Sequence, residues 1–197
     1  MIPSEIDEKV ITARIAAENA KRTSLSNDAT IGGIMYQFEK REFPPDFSMT
    51  MPENFEELTP ENLILKYPNV NRPKNILSNA DSSVTFAYEA MSVNAEKSET
   101  RLKEYKAAIK RMHPNYLFYS EETYELENGL EIGCYDFRGV ALDTDIYCLN
   151  FFTDLPNGEL LGWFSCPIDL QARWEPLVRQ MIKTIEPLSQ DEDVLGG

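Results

Sequence analysis

Residues 116–166 read YLFYSEETYELENGLEIGCYDFRGVALDTDIYCLNFFTDLPNGELLGWFSC, and the fold turns on where this stretch reverses. Asn128-Gly129 stands between two runs rich in Tyr, Leu, Ile and Phe, and these two residue types tolerate the positive φ that a two-residue hairpin turn demands. Leu155-Pro156-Asn157-Gly158 separates residues 146–153 from 159–165, with Pro fixing φ and Gly opening the return. Asp143-Thr144-Asp145, after Val140-Ala141-Leu142, makes a third reversal. Sequential strands joined by short reversals pair as neighbours, so the stretch predicts a four-stranded antiparallel meander.

Alternation within these strands shows what must cover the sheet. Leu130, Ile132 and Cys134 oppose Glu131, Gly133, Tyr135 and Phe137; Ile146, Cys148, Asn150 and Phe152 oppose Tyr147, Leu149 and Phe151; Leu161 and Trp163 oppose Leu160, Gly162 and Phe164. Both sets carry large apolar groups, so both faces need cover. Helices elsewhere in the chain are expected to supply it.

Working outward, residues 4–21 have helical spacing, with Ile6, Val10, Ala13 and Ala17 in a thin stripe and Ser4 ahead of Asp7 as in a capping box. Residues 22–33 read as a linker, which makes 1–33 an N-terminal arm. Residues 34–42 and 47–51 read as two strands around Phe43-Pro44-Pro45-Asp46, where the proline pair stops a ladder. Phe47, Met49 and Met51 share one face. Thr59-Pro60-Glu61 starts a short helix that ends near Tyr67-Pro68. Strands follow at 75–78 and 84–88. The clearest helix spans 96–112, with Leu102, Tyr105, Ile109 and Met112 in one stripe. After the meander, Trp174, Leu177, Val178, Met181 and Ile185 mark a C-terminal helix. Pro176 cannot sit deep inside a helix without losing a hydrogen bond, so the helix is expected to begin near Trp174 after a turn over 168–173. Residues 34–187 thus form one domain, and 188–197 an acidic tail.

At 197 residues the chain suffices for one domain with a real core. No run approaches the ~20 apolar residues of a membrane span, and residues 1–5 lack the start of a secretory signal. A cytoplasmic location is expected. Thirty-three acids against nineteen bases give a net charge of −14, which repels nucleic acid and anionic lipid; its plain reading is solubility, and its sharper one is attraction to a basic protein partner. The three cysteines, Cys134, Cys148 and Cys166, form no CxxC pair and fit a reducing compartment.

Few residues offer chemistry. His113 is the only histidine and falls at a helix end, so a His-based metal site would need helpers from unrelated positions. Cys166, at a strand end, is the one thiol that could pair with it as a nucleophile, while Cys134 and Cys148 read as packing residues. The acid pairs Glu121-Glu122, Asp143 with Asp145, and Asp191-Glu192-Asp193 fall in turns, strand starts or tail, not across a cleft. Asp143-Thr144-Asp145 lacks the further ligands of a calcium loop. Gly32-Gly33 has no Lys-Ser after it, so it is no phosphate loop. Arg72 before Pro73 either fixes a loop or presents a cation to a partner. Trp163, Tyr135, Tyr147 and Phe151 are candidates for a binding surface, against a prior that sheet aromatics are core.

The element order resembles the PsbP-like fold, whose group includes a photosystem extrinsic protein, a Ran-binding nuclear transport factor and the bacterial DcrB-related proteins. Met49-Thr50-Met51-Pro52 leading to Leu58-Thr59-Pro60, Tyr67-Pro68 through Arg72-Pro73 to Val84-Thr85-Phe86, and Phe164-Ser165-Cys166-Pro167 with Trp174 and 181–185 carry the likeness, which covers about residues 34–187 and is greatest to the DcrB-related branch. It implies an α+β fold: an α/β/α sandwich on a twisted, mainly antiparallel sheet, with the meander followed by a helix. It also implies mostly non-enzymatic relatives that bind other proteins, some of them chaperones or adaptors for secreted toxins. No family site residue is matched. The expectation is a non-catalytic protein-binding domain of bacterial type without cofactor or metal. A small-molecule or lipid carrier with a pocket between sheet and helices is the alternative, and a cysteine-dependent enzyme the remote one.

Overall fold

The computed structural model of the chain describes residues 24–26, 28–44, 46–69, 72–92, 95–140 and 144–188. The helix expected over 4–21 and all but the first residue of the tail lie outside them.

The meander forms as its turns require. Strands β8 (Leu117–Glu125), β9 (Glu131–Val140), β10 (Asp145–Leu155) and β11 (Gly158–Pro167) pair antiparallel in sequence order. The first turn takes three residues, 127–129, rather than the two expected: Gly129 sits at φ 83°, and the Leu126 N–H closes the loop on the Leu130 carbonyl at 2.8 Å. The meander is part of a larger sheet. Beyond β11 lie β7 (Thr85–Met91), β6 (Asn75–Ser78) and β5 (Glu56–Glu57), giving seven strands in the order β5-β6-β7-β11-β10-β9-β8.

The remaining elements cover its two faces. On the inner face Phe86, Ile132, Tyr147, Leu149, Phe151, Leu160, Phe164 and Cys166 form the large core. It is closed by α3 (Gln171–Lys183) and by a second, three-stranded sheet of β12 (Glu186–Pro187), β4 (Phe47–Pro52) and β3 (Phe38–Phe43). Phe47, Met49 and Met51 are fully buried, as their shared face predicts, and so are Trp174, Leu177, Val178, Met181 and Ile185. Helices alone were expected as cover; a sheet does half of it. On the outer face a smaller cluster of Leu102, Tyr135, Phe137, Cys148 and Phe152 lies under α2 (Ser98–Met112).

Some boundaries differ from the sequence reading. The linker expected over 22–33 contains β1 (Ala29–Ile31), which pairs with β2 (Ile34–Tyr36). Gly32 and Gly33, at φ 57° and 82°, are the turn of this hairpin, a conformation glycine adopts without steric cost. Ala29 and Ile31 are buried in the large core. The strand expected over 34–42 breaks at Gln37, where β2 leaves for the hairpin and β3 for the second sheet. Helix α3 starts at Gln171 rather than Trp174, because the 3-10 turn Ile168–Leu170 runs straight into it and Pro176 is accommodated inside. The short helix α1 (Pro60–Lys66) is capped by Thr59, whose hydroxyl accepts from the Asn62 N–H at 3.3 Å. Leu188, the first residue of the expected tail, donates its N–H to the Asp46 carbonyl at 3.1 Å.

Candidate functional site

Seven strands about 4.8 Å apart spread over roughly 29 Å, whereas one helix with its side chains covers about 10 Å. Helix α2 packs mainly on β9 and β8 and reaches the tip of β10 and β11 through Arg101 and Tyr105, which leaves, among the described residues, a strip of outer face over β7, the later part of β11 and part of β10 open. The far side of this strip is walled by Tyr67 and Pro73, and the near side by Ile109, Met112, His113 and Tyr116. Between them runs a groove of about 750 Å³, floored by Ala87, Cys148, Asn150, Trp163 and Ser165. A recess of about 170 Å³ continues from Trp163 beneath Tyr105, Ala108 and Ile109.

The groove sorts the four candidate aromatics. Tyr147 and Phe151 belong to the large core and Tyr135 to the small one. Trp163 is half-buried and belongs to neither cluster. Its neighbour in the chain, Phe164, points to the inner face and packs against Trp174 at 5.5 Å. His113 ends α2 through its backbone, donating N–H to the Ile109 carbonyl at 2.8 Å. Its ring stacks on Tyr116 at 4.4 Å, and Tyr116 stacks on Phe137 at 5.3 Å, so the three form a ladder along the near wall.

Polar groups gather at the other wall. The Tyr67 hydroxyl donates to Thr85 Oγ1 at 3.2 Å, and Thr85 Oγ1 lies 2.7 Å from Ser165 Oγ. Burial pushes the Tyr67 phenol up. Asn150 Nδ2 donates to the Tyr135 hydroxyl at 3.1 Å, which fixes the floor. Glu89, the one acid in the lining, is matched by Lys74 at 3.2 Å. Met112 of the lining is 63% exposed, and on α1, outside the lining, Ile64 and Leu65 are 64% and 83% exposed. Helix α1 buries no residue at all.

The candidates for catalysis do not assemble. Cys166 is fully buried in the large core, so it is not presented to a substrate and the Cys166–His113 nucleophile is overturned. Burial pushes the Cys148 thiol up to about 12, and burial with the nearby Glu122 does the same to Cys134. Cys166 is raised by burial in the same direction. Three pH units above an ordinary thiol leave roughly a thousandfold less thiolate. The native protein is therefore expected to react with Ellman's reagent at least about a hundredfold more slowly than the urea-unfolded chain. At neutral pH these thiols are protonated in both states; above pH 9 the unfolded chain ionises first, so they cost stability on the alkaline side.

The acid pairs are likewise spoken for where the structure describes them. Glu121 pairs with Lys106, Glu122 with Arg179 at 2.6 Å, and Asp145 with Arg138. Asp143 and Asp191-Glu192-Asp193 lie outside the described residues. Among the described residues no group of three or more His, Cys, Asp or Glu is placed to hold a metal ion, and no helix is long and apolar enough to cross a membrane. Two cation networks, a part-buried one at Arg179 and a buried one at Arg101, have no counterpart in the sequence reading. Arg179 donates to Asp136 at 2.9 Å, with Asp136 also accepting from Tyr147 at 3.0 Å. Arg101 is clamped by Asp154 and Glu159.

An α+β domain built on a mainly antiparallel sheet, its outer face open as an apolar groove, is the class of protein these observations define, and its fold is PsbP-like. The solution structure of cyanobacterial PsbP (CyanoP) from Synechocystis sp. PCC 6803 superposes with a TM-score of 0.57 at 9% identity, covering 79% of this chain and 95% of that one. PA94 from Pseudomonas aeruginosa, a protein of unknown function, gives a TM-score of 0.46 at 11% identity over 78% of this chain and 99% of that one. No family model and no curated protein matches the chain.

Proposed function

We propose that the chain is a non-catalytic protein-binding domain that holds an apolar segment of its partner in the outer-face groove, as a chaperone or adaptor of the DcrB-related kind. The observation that carries this reading is Trp163, a large aromatic on the groove floor beside α2 that stays half-buried and belongs to neither core cluster. Single exposed apolar residues are ordinary, but an open apolar groove rimmed by polar groups marks an interaction site. Met112, in the groove wall, is 63% exposed and adds apolar surface at the rim. The net charge of −14 favours a partner that is basic outside the groove.

In a pull-down from the native host, the wild-type chain is expected to recover a defined partner. Trp163→Ala, still unfolding cooperatively, is expected to bind it about thirtyfold more weakly, since truncating a central aromatic anchor costs about 2 kcal/mol. Undiminished recovery by Trp163→Ala, or no partner above background, overturns the reading. The groove volume favours one alternative, because about 750 Å³ falls within the range of small-molecule pockets. A carrier would leave the purified protein with bound ligand visible by native mass spectrometry.

A further inference from the structure

In this acidic chain the cations of several elements are matched to carboxylates: Lys40 to Glu186, Lys74 to Glu89, Arg101 to Asp154 and Glu159, and Arg179 to Asp136. Two cations at the α1 wall of the groove are held differently. Lys66 donates to the Ser82 carbonyl, and Arg72 donates to the Tyr67 carbonyl at 3.1 Å. Neither is in a salt bridge among the described residues. Asp81 acts on Lys66 only at longer range, its carboxylate turned to the Ser83 N–H at 2.9 Å. Glu89 is already taken by Lys74.

An ammonium has three N–H donors and a guanidinium five, so each keeps donors beyond the one directed at a carbonyl. Lys66 lines the groove, and Arg72 adjoins the lining residue Pro73. Beside them on the floor runs the Tyr67, Thr85 and Ser165 hydroxyl chain. Lys66 as a residue is exposed, yet partial burial beside Ser82 holds its ammonium below the ordinary lysine value, with Asp81 opposing. An anion arriving there restores what desolvation removed.

We propose that Lys66 and Arg72 form an anion-recognising end to the groove, so that the segment bound there carries an acidic side chain at one end of its apolar run. This rests on the protein-segment reading and adds a sign and a direction to it. The partner is basic where it faces the acidic surface at large and acidic at this one point. Charge-assisted hydrogen bonds at a partly desolvated site discriminate where screened surface pairs do not.

The test uses the full chain and two fluorescein-labelled Leu/Ala peptides, one ending in Glu-Glu and the other in Gln-Gln, titrated by fluorescence anisotropy. The acidic peptide is expected to bind about five- to tenfold more tightly at low salt, with the difference shrinking as salt rises. The double variant Lys66→Met and Arg72→Met is expected to bind the two peptides equally. Equal affinity of the two peptides for the wild type, or a preference that survives both substitutions, overturns the anion site but leaves the groove reading standing. Failure of both peptides to bind overturns the two together.

Discussion

Arg101→Met is expected to lower folding stability by about 3–5 kcal/mol, the range for removing one partner of a buried ion pair, read as a drop in urea midpoint at unchanged slope. Arg101 is 1% exposed. Its guanidinium binds both oxygens of Asp154 at 2.7 Å each and Glu159 Oε1 at 2.8 Å, donates to Ser98 Oγ at 3.2 Å and lies 4.8 Å above the Phe152 ring. Desolvation works against the cation, but Asp154 and Glu159 more than offset it and raise its pKa. Asp154 is half exposed and can turn to water when the cation goes. Glu159 is 3% exposed and cannot, so among the described residues its carboxylate keeps the Tyr105 hydroxyl at 2.8 Å as its side-chain donor. The charge, not the contact, sets the size of the effect. Replacing both partners, Arg101→Met with Glu159→Leu, is therefore expected to cost less than Arg101→Met alone. A double variant that loses the sum of the two single losses would show that no buried charge was being compensated.

This clamp explains why α2 sits where it does, and also why the site was only half legible. Strand order and face assignment follow from local chemistry. Asn128-Gly129 and Pro156-Asn157-Gly158 mark the hairpins, and period-two alternation alone places Leu160 with Phe164 and Leu161 with Trp163. What alternation cannot do is rank two aromatics that both point off a sheet. Trp163 and Tyr135 share the outer face; Tyr135 is buried and Trp163 half-buried, and the path of α2 over them is fixed in part by Arg101, which ties its start to the tip of the β10–β11 hairpin. That pairing joins residues 53 and 58 positions apart and carries no periodic signal. The same holds for β12, two residues that find β4 across the fold, and for Gly32-Gly33, whose turn chemistry was outweighed by the polar residues ahead of it. Lys66, bound to a carbonyl oxygen, looks in sequence like any solvated cation, whereas Arg72 before Pro73 already stands out.

Gly162→Ala is expected to lose about 3 kcal/mol, the upper end for overpacking a close-packed core, although Ala should otherwise gain about 0.5–1 kcal/mol over Gly in a strand. A methyl group at Gly162 would lie 2.1 Å from the Phe151 ring, whose strand pairs with it in register. Phe151 cannot withdraw, because Phe86 is stacked near it at 6.1 Å inside the large core. On the opposite face Gly133 makes the same vacancy for Phe152, again at 2.1 Å. Adjacent residues of β10 thus drive rings into glycine gaps on the two sides of the sheet, one into each core. The two faces then make different predictions when combined with the Arg101 clamp. Gly133→Ala displaces the ring on which Arg101 rests, so its cost is expected to be non-additive with Arg101→Met by about 1 kcal/mol or more, while Gly162→Ala, acting on the other face, should add within about 0.5 kcal/mol. Chemical denaturation of the two double variants decides it. Equal coupling for both glycines would mean that the sheet transmits the strain and that its two cores are mechanically one.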